Sequence, residues 1–309
     1  MVSVGRLSIY KQTFEVIMIY IHFIINPVSG GGKHHLSEFF IKQFFEPEKY
    51  KIKADYTLNK KHAIELAKKA ASKHPDIIVA CGGDGTINEV ASCLLGTNIK
   101  LGIIPVGSGN GLASHLNIPR DLKKSLEIIK NGNKILIDAG KINQNYFFSN
   151  TGIGIDAMII KKYEHSSGRK LYSYIKAAIL SSFEYRTQPA VISFDDKIIN
   201  LKTFMIFISN SNEMGYGMSL TPNAMLTDGL LDLILIPELS FTEKIALGFH
   251  VLQGTVGRFA KAQHHQVQNL RIEMPLKIYT DAQIDGEHYN LKTNFCKISV
   301  IPGALNVLV

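Results

Sequence analysis

The sequence predicts an α/β N-terminal half built on a parallel sheet, joined to a half made mainly of antiparallel strands. Three observations lead there. Strand-like and helix-like segments alternate from residue 17 to about residue 141. Three glycine-rich loops in that stretch each follow an apolar strand. Beyond it, strands succeed one another across turns, with two helical insertions. Alternation of strand and helix makes a parallel sheet with helices on both faces, whereas strands joined by turns make an antiparallel sheet or sandwich. At 309 residues the chain has room for two domains, and the change of texture puts their boundary near residue 140.

In chain order, residues 17–25 read as a buried strand. The apolar run containing it is about half the roughly 20 residues that cross a bilayer. A turn follows, then a helix at 34–45 whose apolar positions are Leu36, Phe39, Phe40 and Phe44. Residues 51–57 read as a strand, 62–72 as a helix, 77–80 as an apolar strand, 87–95 as a helix and 101–105 as a strand. The later strands are expected at 134–141, 145–150, 190–195, 201–209, 230–237, 270–278 and 295–301, with helices at 170–185 and 241–262. Residues 1–15 lack the zones of a secretory signal, and Met18 offers a second start, so the segment before it is expected to be an extension.

Composition narrows the function classes. Apolar residues make up 46% and charged residues 19%, which describes a folded chain with ample core material. Lysine and arginine number 34 against 26 acids, a net +8, which suits nucleic acid, an anionic membrane surface or a polyphosphate. The basic residues are dispersed and no nucleic-acid module is recognisable, so membrane or nucleotide contact is favoured. Cys81, Cys93 and Cys296 form no C-x-x-C pair, which points to reduced, packed thiols in a cytoplasmic protein and away from zinc.

The clearest chemical signal is Gly82-Gly83-Asp84-Gly85-Thr86, where a buried strand runs through a glycine turn into a helix. Glycines let backbone N–H groups approach a ligand, and the helix N-terminus favours phosphate. Asp84 is an odd residue there unless a cation is present; the plainer alternative is a helix cap. Asn26-Pro27-Val28-Ser29-Gly30-Gly31-Gly32-Lys33 follows the first strand in the same way and is not a Walker A loop, because His34 replaces Ser/Thr. Gly107-Ser108-Gly109-Asn110-Gly111 follows a third strand. Each loop alone could be an ordinary turn, but loops at the carboxyl ends of parallel strands share one crevice.

Gly152-Ile153-Gly154-Ile155-Asp156-Ala157 matches G-x-G-x-x-A but lies in the strand-rich half without the acidic partner of a dinucleotide site, so a structural turn is expected. Asp228-Gly229 suits a hairpin. Asp285 and Glu287 flank Gly286, as a general base and magnesium partner or simply as a solvated turn. The pairs His34-His35 and His264-His265 are expected to be packing or surface residues.

Together, Gly82 to Thr86 with Asn88 and Glu89, then Gly107 to Asn110, Asp228-Gly229 and Asp285-Gly286-Glu287, resemble the diacylglycerol kinase catalytic-domain family, over about residues 20–309. That family includes bacterial lipid kinases and the sphingosine and ceramide kinases. The resemblance implies a phosphofructokinase- and NAD-kinase-like N-terminal domain, 1–140 with about 300–309 returning to it, and a C-terminal β-sandwich-like domain, 141–299. It implies ATP and Mg2+, with Asn26, Pro27, Val28, Ser29, Gly30, Thr57, Gly83, Asp84, Gly85, Thr86, Ile87, Asn88, Glu89 and Ser108 around the nucleotide. Asp228 with the carbonyls of Met225 and Leu230 would bind metal. Glu287 matches the proton acceptor, and Asp84 matches an acid that organises the nucleotide and in some relatives is itself proposed as the base.

The implied reaction is in-line transfer of the γ-phosphoryl group of ATP to a lipid hydroxyl. The third loop has Gly111 where diacylglycerol kinases usually carry Asp, closer to the sphingosine- and ceramide-kinase form, so the acceptor stays open between diacylglycerol and a sphingoid-type lipid. The implied location is cytoplasmic with peripheral membrane contact, to which Arg169 and Lys170 would contribute. No nucleic-acid partner is expected, and a homodimer is left open. Two rivals are an NAD kinase-like enzyme, whose Thr-Pro-Thr-Gly-Ser-Thr-Ala-Tyr segment is absent, and a catalytically inactive nucleotide-binding membrane adaptor.

Overall fold

The computed structural model describes residues 18–32, 34–166 and 171–309. The N-terminal region runs β1 (Ile19–Ile25), α1 (Glu38–Lys42), β2 (Tyr50–Tyr56), α2 (His62–Ala71), β3 (Ile77–Gly82), α3 (Asp84–Leu94), β4 (Lys100–Pro105), α4 (Gly111–His115) and α5 (Leu122–Asn131). Strands β2, β1, β3 and β4 are adjacent in that order and all parallel. Helices cover both faces. Ile24, Ile78 and Ala80 pack with Leu66, Ala67, Ile87 and Leu94 of α2 and α3. Phe23, Ile25 and Val79 pack with Ile41 of α1 and Leu126 and Ile129 of α5. Neighbouring strand residues point to opposite faces, so a near-continuous apolar strand supplies both cores.

The chain continues through β5 (Lys134–Ile142), β6 (Asn145–Phe147), β7 (Asn150–Gly154), α6 (Ile155–Glu164), α7 (Leu171–Glu184), β8 (Gln188–Phe194), β9 (Lys197–Ser209) and β10 (Leu231–Pro237). It closes with α8 (Phe241–Leu252), β11 (Gln263–Val267), β12 (Asn269–Glu273), β13 (Asp281–Ile284), β14 (Glu287–Asn290) and β15 (Phe295–Leu308). Pairing here is antiparallel, in the order β14-β13-β7-β9-β8-β12-β15. The 14-residue β15 joins the two regions. Its first part pairs with β12 and β5, and after a register shift between Ile301 and Leu305 it runs on beside β5, meeting β4 at Val307. Pro302 has no N–H to give the ladder there, and Gly303 takes φ +54° and donates its N–H to Asp138.

Several elements differ from the sequence expectation. The helix expected at 34–45 is the short α1, begun by Ser37, whose Oγ accepts from Phe40 N (3.2 Å). It buries Ile41 rather than Phe39, which is 76% exposed. Helix α3 begins at Asp84, three residues early, so the glycine motif forms the helix's first turn. The helix expected at 241–262 ends at Leu252, and the chain re-enters the sheet as β11, after Gly254 at φ +64°. The strand expected at 270–278 stops at Glu273, before Pro275, and the last strand runs on to Leu308. Helices α4, α5 and α6 were not expected. The extension before Met18, and Arg169 and Lys170, lie outside the described residues.

Candidate active site

The three glycine-rich loops meet at the carboxyl ends of β1, β3 and β4. The first is tied to α3 by Asn26, whose Nδ2 donates to Thr86 Oγ1 (3.0 Å) while its Oδ1 accepts from Val28 N (3.2 Å). The second and third touch through backbone: a Cβ on Gly83 would stand 3.3 Å from Gly107 Cα and 3.7 Å from Ser29 Oγ. Gly83 and Gly107 therefore serve loop-to-loop packing, a role that motif reading alone does not reveal.

Asp84 clamps the third loop. Its Oδ2 accepts from Asn110 N and its Oδ1 from Gly111 N, both at 2.7 Å. Asn110 occupies the left-handed region at φ +60°, where a short polar side chain is tolerated, and its Nδ2 donates back to Gly107 O (2.7 Å). Burial raises the Asp84 carboxyl above the usual range, against the pull of these donors and of Arg120. Arg120, absent from the sequence reading, donates to the carbonyls of Ser108 (3.0 Å) and Gly109 (2.9 Å). No motif surrounds it; its role comes from position alone.

Helix α3 next reaches two other segments. Glu89 accepts from Lys61 N (2.9 Å) and Ala63 N (3.1 Å), capping α2 and fixing the segment between Thr57 and Lys61. Thr57 itself is buried and donates its N–H to Ile25 O (2.8 Å). Asn88 Nδ2 donates to Tyr146 O (2.9 Å) and Asp285 Oδ2 (2.7 Å). Asp285 also accepts from the N–H groups of Phe148, Ser149 and Asn150 (2.8–3.0 Å). It is buried, not a solvated turn residue, and these four donors leave it no freedom for base chemistry. Burial nevertheless pushes its carboxyl up to about 6.

Asp285 and Gly286, at φ +44° and +76°, make the two-residue turn between β13 and β14 that delivers Glu287 to the start of α3. Glu287 Oε2 lies 3.1 Å from Lys60 Nζ. An ideal Cβ on Gly85 would come within 2.4 Å of Glu287 Oε1 and 3.2 Å of its Cδ, so the absent side chain of Gly85 is the space the carboxylate fills. Glu164 of α6 lies 3.6 Å from Lys60 Nζ and accepts from His288 N (3.1 Å). Burial works against the Lys60 charge, but Glu287 and Glu164 outweigh it and raise its pKa. Lys60 and Glu164 were missed, because a loop lysine and a helix-end glutamate carry no motif.

The structure thus brings together Asn26, Ser29, Gly30, Gly83, Asp84, Gly85, Thr86, Ser108 and Glu287. Pro27 and Val28 lie on the first loop, with Val28 fully on the surface. Ile87 is buried in the core, so its side chain cannot meet a nucleotide. Asp228 stands in the turn before β10. Its Oδ1 accepts from Leu230 N (3.0 Å), and Asp138 accepts from Gly229 N (2.7 Å). That turn is no hairpin, since residues 210–230 separate β9 from β10. Burial raises the Asp228 carboxyl, with the charges of Asp232 and Asp138 adding to it. A carboxylate and the backbone carbonyls of exposed Met225 and half-buried Leu230 are hard oxygen donors, the type that magnesium takes. Among the described residues no three His, Cys, Asp or Glu side chains form a metal cluster, and no hydrogen bond or ion pair ties Asp228 to the glycine loops or Glu287.

Gly152 to Ala157 is a strand-to-helix junction, where β7 passes into α6 at Gly154 (φ +99°). His264 bonds Asp232 (2.6 Å) and His265 packs on Phe194, as packing residues do.

Residues 20–142 match the diacylglycerol kinase catalytic domain, and residues 149–309 match the YegS C-terminal NAD kinase beta sandwich-like domain. The chain is 32% identical over 240 residues to a diacylglycerol kinase of Bacillus subtilis, covering 75% of this chain and 78% of the relative. It is 28% identical over 286 residues to a diacylglycerol kinase of Staphylococcus aureus, covering 89% and 88%. A crystal structure of a diacylglycerol kinase from Bacillus anthracis superposes with a TM-score of 0.69 at 20% identity, over 94% of this chain and 96% of that one. A second structure from the same organism gives 0.76 at 23%, with the same coverage. These structures show a shared fold, and the sequence matches show the kinship. The chain belongs to the diacylglycerol kinase family and is a lipid kinase that uses ATP.

Proposed function

We propose that this chain transfers the γ-phosphoryl group of ATP to the hydroxyl of a membrane lipid, diacylglycerol or a sphingoid-type acceptor, with Glu287 as proton acceptor. The observation that carries the reading is the seating of Glu287, from the antiparallel half, in the gap left by Gly85 at the N-terminus of α3. Phosphoryl transfer needs positioning and charge neutralisation more than covalent chemistry. The N–H groups at the start of α3, with the Asn26–Gly30 and Ser108 loops, would hold the phosphates. Asp84 would act mainly as the clamp that sets the third loop, both its oxygens already being engaged. Lys60 would orient Glu287 so that its free oxygen takes the hydroxyl proton as the oxygen attacks phosphorus. Asp228, with the carbonyls of Met225 and Leu230, would hold magnesium, which when bound supplies positive charge to offset the phosphates.

The same reading takes residues 1–140 with about 300–309 as the nucleotide-binding domain and 141–299 as the lipid domain. It places the protein at the membrane peripherally: among the described residues no helix is long and apolar enough to cross a bilayer. Incubation with γ-labelled ATP and a lipid panel, followed by chromatography, tests it. A labelled phospholipid is expected. ATP bound without turnover would indicate an adaptor, and label passing to NAD instead of lipid would indicate an NAD kinase-like enzyme.

A further inference from the structure

Helices α7 and α8 are packed the wrong way round for a water-facing surface. In its 14 residues α7 buries only Ala177 and Ser181. It turns Leu171, Tyr172, Ile175, Ile179, Leu180 and Phe183 outward, Tyr172 being 75% exposed and Phe183 66%. Helix α8 buries only Leu247 and exposes Phe241, Ile245, Phe249 and Leu252. Their spacing, at positions i, i+4, i+8 and i+11, puts these four on one stripe. The two helices are neighbours: the rings of Phe183 and Phe241 lie 5.9 Å apart, and Lys244 Nζ donates to Ser182 O (2.8 Å). Ten large apolar side chains are therefore exposed on two neighbouring helices, where a lone protein in water normally scatters them.

We propose that the outer faces of α7 and α8 are a membrane-docking surface that seats the protein on an anionic bilayer. The inference deepens the lipid-kinase reading and rests on it for the choice of occupant. Charge points the same way. The acids of these helices are compensated, Glu184 by Lys162 (2.6 Å) and Glu243 by Lys261 (2.8 Å). Lys176 on α7 and Arg186 just beyond it are exposed and add positive charge to this part of the surface. Exposed apolar helix faces that also carry cations lie in the interfacial plane of a bilayer with anionic headgroups. The placement also suits the chemistry. Helix α7 packs on α6 through Tyr174 against Tyr163, ring centroids 5.8 Å apart, and α6 ends at Glu164, beside Lys60 and the Glu287 hairpin. Helix α6 thus links the proposed docking face to the Glu287 hairpin.

The test compares wild type with an Ile179→Ser/Phe183→Ser/Phe249→Ser variant by co-sedimentation with phosphatidylcholine vesicles, plain or containing about one-third phosphatidylglycerol. We expect wild type to bind the anionic vesicles, and the variant to partition about 100-fold more weakly with an unchanged melting temperature. Both should phosphorylate a short-chain, monodisperse diacylglycerol at equal rates. A second variant, Lys176→Glu/Arg186→Glu, should lose about tenfold on anionic vesicles and nothing on plain ones. Unchanged vesicle partitioning of the serine variant would overturn the proposal, and a lowered mass in sedimentation equilibrium would then assign the face to contact between two copies of the chain. If wild type phosphorylates no lipid yet the serine variant loses vesicle binding, the docking surface stands and the kinase reading fails.

Discussion

Replacing Gly85 with alanine separates the fold from the chemistry. The backbone at Gly85 is helical, so alanine is locally welcome, and in a helix it is favoured over glycine by up to about 1 kcal/mol. The difficulty is elsewhere. The new Cβ would lie 2.4 Å from Glu287 Oε1, and ordinary contact begins at 3.4 Å, so the carboxylate must retreat by about 1 Å. Being the far end of a flexible side chain, it can do so at little cost to stability. A displacement of that size at a reacting group costs about 100-fold in rate. Steady-state assays in lipid–detergent micelles should show kcat lowered about 100-fold with KM for ATP within about threefold, while thermal melting is unchanged or higher. Shortening the acid should relieve the clash, so Gly85→Ala/Glu287→Asp should lose less relative to Glu287→Asp alone than Gly85→Ala loses relative to wild type. Wild-type kcat in Gly85→Ala would mean that the Glu287 carboxylate does not need its observed place for turnover.

Three further outcomes follow from the same geometry. Glu287→Gln should keep the fold and lower kcat by at least about 100-fold, measured with labelled ATP; near wild-type turnover removes Glu287 as base. Asp84→Ala leaves the N–H groups of Asn110 and Gly111 without their acceptor, so it should lower turnover by at least about 100-fold and cost about 2–4 kcal/mol in denaturant unfolding. Asp156 is buried, its Oδ2 has no partner among the described residues, and burial raises its carboxyl to about 7. Because the folded-state value exceeds the unfolded one, its contribution is complete below about pH 4 and is lost as pH climbs through about 7. Asp156→Asn should therefore match wild type near pH 4 and exceed it by on the order of 2–4 kcal/mol at pH 8 in melts across pH; parallel curves would contradict this.

The strands and glycine loops of the parallel half were legible because their signals are local. Apolar strands, glycine turns and helix periodicity all lie within a few residues of one another, and strand-end loops in such a sheet have only one crevice to share. What escaped depends on distant partners. The oxygens of Asp84 are engaged by residues 26 and 27 positions away, and Asp285 by Asn88, 197 positions away, so neither clamp is visible in a motif. Asp285 and Glu287 look equivalent in sequence, yet the turn between them sends one into the interior and the other to the start of α3. Helix α6 was missed because Gly152 and Gly154 suggest a turn, whereas Gly154 only redirects the chain from strand to helix. The outward faces of α7 and α8 were hidden for another reason: apolar periodicity marks a face to be covered and does not say by what.

On this reading the start of α3 and the two flanking glycine loops would hold the nucleotide's phosphates opposite Glu287. A crystal structure with magnesium and a non-hydrolysable ATP analogue tests it most directly. The terminal phosphate is expected between residues 83–86 and the Glu287 carboxylate, with Asp84 still bonded to Asn110 and Gly111. A nucleotide bound elsewhere, or one whose terminal phosphate points away from Glu287, would contradict it.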